Sequence, residues 1–230
     1  MSMVQIQCAA LLELYDNRQK DGGFATAISA LAGEELGLAL LQHNLNSLGT
    51  SVQSVGNVPT TGKQKGFRLD GWLLTPEILY QVEVKNWGAN AIGGKPYDGD
   101  LKAGWEQFIA WFRDPGLQKV LYPMVPPSSY ASMPVEAIAC MWPTMNPDGL
   151  SAPWFSVPSD QLPPVPFDYP FTKLNVFSMS GYLRQTSSET LDLEMPKTYR
   201  RLKALESLFV TSNLVDHATA NSPISRTAGG

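Results

Sequence analysis

One stretch, residues 66–87, limits what this chain can fold into more than any other. Phe67, Leu69, Gly71 and Leu73 alternate with Arg68, Asp70, Trp72 and Leu74. After Pro76-Glu77, Ile78, Tyr80, Val82 and Val84 alternate with Leu79, Gln81, Glu83 and Lys85. Period-two alternation of this kind marks half-buried strands. Proline suits the second position of a tight turn, and Pro76 stands there. The stretch reads as a β-hairpin.

A two-residue Pro76-Glu77 loop sets a register. Thr75 then faces Ile78, Leu74 faces Leu79, Trp72 faces Gln81, Asp70 faces Glu83 and Arg68 faces Lys85. Side chains two apart on a strand share a face, so Asp70, Glu83 and Lys85 point the same way. Opposed residues have Cβ atoms about 4.5–5.5 Å apart. Two carboxylates that close repel unless a cation lies between them. A hard divalent cation with oxygen ligands answers that need. A slip of one residue would remove the juxtaposition, leaving an ordinary edge hairpin with a wet polar face.

Asp70 followed by Glu83-Val84-Lys85 resembles the core motif of the PD-(D/E)xK nuclease superfamily, which includes restriction enzymes, Holliday-junction resolvases and repair nucleases. Leu69 stands where the motif's name has proline. The resemblance implies an α/β fold: a restriction-endonuclease-like core with a mixed central sheet of four or five strands flanked by helices. It also implies Mg²⁺ (or Mn²⁺), held by Asp70, Glu83 and the backbone carbonyl of Val84, with Lys85 completing the catalytic set. Family members carry an acid on the helix before the first strand. Here that helix spans about 25–48, and Glu34 or Glu35 is the counterpart. Leu31, Glu34, Leu38, Leu41, Leu45 and Leu48 form a stripe of three-four spacing. An acid within such a stripe needs a partner, which favours Glu34. Gly49 closes the helix as a left-handed cap.

The chain has 230 residues and 43% hydrophobic content, enough for one domain with elaborations. A single nuclease-like domain is expected over 1–212, with a Pro- and aromatic-rich insertion at about 143–170 and a disordered tail over 213–230. The formal charge of −4 gives no broad basic surface. A nucleic-acid partner would need a local basic patch or metal ions to offset phosphate charge. Lys63 and Lys65 in the loop before the Asp70 strand, Lys95 in the glycine-rich loop 86–100, and Arg200 in a basic cluster on the last helix are the candidates. Each is equally readable as solvated surface.

The two cysteines and two histidines make no zinc pattern. Cys8 and Cys140 lie among apolar residues and read as buried free thiols. No apolar run reaches membrane-spanning length, and no secretory leader is evident, so a cytoplasmic location is expected.

Elsewhere, the spacing predicts an opening helix from Val4 to Tyr15, a first strand at about 50–58, and a helix at about 101–112. Strands follow at 135–142 and 172–179, then a short helix at 181–185 and a last helix at 195–210. These readings converge on a nuclease, acting as endonuclease or exonuclease, most naturally on DNA. A homo-oligomer or protein partner fits the same reading. The competing class is a non-catalytic module that keeps the fold to bind nucleic acid or protein. No P-loop and no Gly-x-Ser-x-Gly elbow supports another hydrolase.

Overall fold

The computed structural model describes residues 2–16, 22–55, 69–85, 119–124, 126–142, 153–162, 164 and 171–208. The described strands are β1 (Met3–Gln7), β2 (Gln53–Ser54), β3 (Gly71–Leu74), β4 (Leu79–Lys85), β5 (Val135–Met141), β6 (Trp154–Pro158), β7 (Lys173–Ser178) and β8 (Thr190–Glu194). The described α-helices are α1 (Cys8–Asp16), α2 (Gly22–Ser47), α3 (Met179–Gln185) and α4 (Pro196–Leu208).

Six strands form one mixed sheet in the order β2-β3-β4-β5-β7-β6. The β4–β5 and β5–β7 pairs are parallel. The β2–β3, β3–β4 and β6–β7 pairs are antiparallel. The α/β class and the mixed sheet match the sequence expectation, and the strand number exceeds it. The extra strand is β6, inside the stretch read as an extended insertion, where Trp154–Pro158 pairs along β7. The first expected strand is only Gln53–Ser54 among the described residues.

A separate ribbon pairs β1 with β8. Residues 3–7 were expected to open a helix, because Val4 and Cys8 also fit helical spacing. Pairing with residues more than 180 positions away decides otherwise, and the helix begins only at Cys8. The expected helix 101–112, the loops 59–66 and 86–100, and the tail 213–230 lie outside the described residues. No helix among the described residues is long and apolar enough to cross a membrane.

Because β5 is central, it is apolar on both faces. Ile138 and Cys140 join Leu73, Val82, Val84 and Phe177 under α2 and α3. Ala137, Ala139 and Met141 join Leu174, Val176, Val120 and Leu121 on the opposite face. Both cysteines are buried free thiols.

The position of α2 matters most for the site. Its deepest residues are Leu36, Leu40 and Leu41, while Leu48 is 65% exposed. The buried stripe therefore departs from the expected one, because the helix meets β4 at Gly37. A Cβ there would overlap the Val84 side chain. The next residue, Leu38, lies against Gly71 of β3, where a Cβ would be 2.8 Å from Leu38 Cδ2. Gly33 breaks the helix with φ 49 and ψ −132, a conformation that only glycine adopts at little cost. Gly49, at φ 84, follows the helix as expected.

Candidate active site

The hairpin register runs from Gly71 opposite Val82 to Leu74 opposite Leu79, with Trp72 opposite Gln81. This is the register that the Pro76-Glu77 loop predicts. Thr75 fixes it: its N–H donates to the Ile78 carbonyl at 2.9 Å, and its Oγ1 accepts the Ile78 N–H at 2.9 Å. Backbone pairing stops at Gly71. Asp70 bends, and its Oδ2 accepts the Val84 N–H at 2.7 Å. A residue's N–H and C=O leave a strand on the same side. The Val84 carbonyl therefore also projects toward the Asp70 side of β4.

Glu83, one position along, is completely buried. Its Oε1 accepts from the Lys85 ammonium at 2.7 Å and the Lys119 ammonium at 3.3 Å. Its Oε2 is buried with no hydrogen-bond partner among the described residues. A buried carboxylate oxygen without a partner is costly.

Asp70 feels this neighbourhood. Burial, then the Glu83 carboxylate, push its pKa up to about 7, and Glu34 adds to the rise. The Val84 N–H and the Lys85 ammonium oppose it. Asp70, Glu83 and Lys85 thus interact at one end of the β3–β4 pair.

The two helix acids divide. Glu34 faces a cleft of about 540 Å³ that Asp70, Gly71 and Gln42 also line. Glu35 turns to α4, where its Oε1 accepts the Lys197 N–H at 2.9 Å. Its Oε2 accepts the Thr198 N–H at 2.6 Å and the Thr198 hydroxyl at 2.7 Å. Both oxygens of Glu35 thus satisfy backbone donors at the start of α4. In return, Arg201 of α4 donates to the Ala30 and Leu31 carbonyls, just before the break at Gly33.

The residues present suit a hard cation. Asp70, Glu83 and the Val84 carbonyl are oxygen donors of the kind such an ion takes, and Mg²⁺ keeps several of its own waters when bound. The expected common face is not kept, however. Glu83 leaves β4 on the face opposite to Val82 and Val84, which pack under α2, whereas Asp70 turns out of the hairpin to line the cleft beside Glu34 of α2. Among the described residues, no three His, Cys, Asp or Glu side chains lie close enough together to hold a metal on their own.

Of the phosphate-contact candidates, Lys63, Lys65 and Lys95 lie outside the described residues. Arg200 is exposed on α4, its Nε donating to the Pro196 carbonyl at 3.3 Å. Lys119 was not foreseen. It lies 36 residues from Glu83 in sequence, and no spacing rule connects a lysine in a short 3-10 turn to a strand so far back.

No protein-family model, curated protein or solved structure matches this chain.

Proposed function

We propose that this protein is a metal-dependent nuclease of the PD-(D/E)xK type, hydrolysing phosphodiester bonds in DNA. One observation carries the reading. At one end of the β3–β4 pair the Glu83 carboxylate raises the pKa of Asp70 and the Lys85 ammonium lowers it, and buried Glu83 Oε2 has no hydrogen-bond partner among the described residues. The order of elements supports a restriction-endonuclease-like core: an acid-bearing helix precedes a β2–β3–β4 meander that carries the motif. A cytoplasmic location belongs to the same reading.

Asp70, Glu83 and the Val84 carbonyl would hold Mg²⁺ or Mn²⁺, and Glu34 lines a cleft together with Asp70. When bound, the ion supplies Lewis-acid polarisation of a phosphodiester oxygen and makes a water more acidic. Asp70 gives up its proton to take up this role. Lys85, held beside Glu83, offers a compact positive charge to the phosphate as negative charge grows on it.

The test is incubation of labelled single-stranded, duplex and branched DNA, and of RNA, with and without Mg²⁺ or Mn²⁺. Cleavage is expected only with metal, and is lost in Asp70→Ala and Glu83→Ala. Lys85→Ala should lower turnover by about 10²-fold or more with metal affinity nearly unchanged. One observation favours a second reading, a binding module without catalysis: two lysines already occupy Glu83 Oε1. Nucleic-acid binding with no cleavage of any substrate would move the assignment there.

A further inference from the structure

We infer that Lys119 is a second substrate-facing cation of this site, delivered by Gln81 to bind a phosphate of a nucleic-acid strand. This rests on the nucleic-acid reading above and adds a contact to it. Gln81, Glu83 and Lys85 occupy alternate positions of β4 and so share a face. Gln81 is completely buried on that face. Its Nε2 donates to the Val120 carbonyl and, at 3.0 Å, to the Tyr122 carbonyl. Both amide hydrogens are thereby committed to one turn, which also closes on itself through Tyr122 N–H to the Lys119 carbonyl at 3.2 Å. A buried glutamine needs such bonds to be tolerated. Their effect is to pin the 3-10 turn Lys119–Leu121 across β4, with Lys119 over Glu83.

Neutralising Glu83 does not account for Lys119. Lys85 already pairs with the same oxygen, Oε1, at the shorter distance of 2.7 Å against 3.3 Å. The oxygen that lacks a partner is Oε2, and Lys119 is not on it. Lys119 also has the more exposed side chain, at 27% against 15% for Lys85. An incoming anion meets it first.

The experiment measures binding separately from cleavage. Fluorescence anisotropy of a labelled oligonucleotide in Ca²⁺, with strand integrity checked on a gel, is recorded over a range of salt concentrations. Wild type, Lys119→Ala and Lys119→Arg are compared, with Mn²⁺ affinity measured by calorimetry in parallel. Lys119→Ala should weaken binding and reduce the slope of log K against log salt by about 0.7 on a single strand or about 0.9 on a duplex. Lys119→Arg should restore the slope, and Mn²⁺ affinity should not fall in either variant. A purely structural lysine would leave the slope unchanged, and that result overturns the inference. So does a wild-type protein that binds no oligonucleotide. Binding with the predicted slope change but no cleavage in Mg²⁺ would sink the nuclease reading while Lys119 stands. Cleavage with an unchanged slope would do the reverse.

Discussion

Asp70 carries the most information of any single residue. In the fold its pKa is pushed up to about 7, first by burial and then by Glu83. In an unfolded chain an aspartate titrates near ~3.9. Between those values the folded state binds more protons than the unfolded state. Stability from this group is therefore full below about pH 4 and is lost as pH rises through about 7. Asp70→Asn removes the titration and keeps an oxygen for the Val84 N–H. In EDTA, urea unfolding should show the Asn variant more stable than wild type at pH 8, with the gap shrinking at pH 5. A gap independent of pH would mean that Asp70 does not titrate as described. The sequence singled the residue out but not its direction, because alternation holds only to Gly71 and Asp70 bends toward the cleft beside α2. Its raised pKa was not legible either, since Glu34 and the depth of burial come from packing.

At the scale of elements, the site depends on how closely α2 lies on β3 and β4. Gly37 against Val84 and Gly71 against Leu38 set that approach. Gly37→Ala should therefore destabilise the protein by about 1–3 kcal/mol, the usual cost of overpacking, measured by chemical denaturation. Because Glu34 lies one turn from the contact, the same variant should also lower Mn²⁺ affinity.

The junction of α2 and α4 is a second device. Glu35 satisfies the first donors of α4, and Arg201 satisfies carbonyls beside the Gly33 break. Glu35→Ala should cost about 0.5–2 kcal/mol, as for loss of a helix cap. Glu34→Ala, on an exposed residue, should leave thermal stability nearly unchanged. Equal losses in the two would contradict this division of roles. The division was only half legible. Helical spacing singled out Glu34, but Glu35's partner lies 162 residues away in α4. The hairpin register was legible from Gly71–Val82 to the turn, because its turn chemistry and alternation are local, but the expected Asp70–Glu83 pair did not form. Lys119 and the β1–β8 ribbon were not legible, because each rests on a contact between distant parts of the chain.

For the whole molecule, the site is assembled from parts that meet only in the folded state. Asp70 and Glu83 come from the hairpin, Glu34 from α2 and Lys119 from a turn between β4 and β5. A cation bound there has no equivalent site on the unfolded chain, so binding must raise the stability of the entire fold. At about 100 times the dissociation constant the gain is about 2.7 kcal/mol. A chain of this size shifts its melting temperature by about 2–4 °C per kcal/mol, so Mg²⁺ or Mn²⁺ should raise it by about 5–11 °C. The shift should vanish in Asp70→Ala and Glu83→Ala and persist in Lys85→Ala. It should also shrink at pH 5, where a proton competes for Asp70, because carboxylate ligands must be deprotonated to bind metal. Differential scanning calorimetry on the four proteins at pH 5 and pH 8 measures all of this. An equal metal-induced shift in wild type and in Asp70→Ala would locate the ion elsewhere, and would remove the paired carboxylates from the chemistry of this protein.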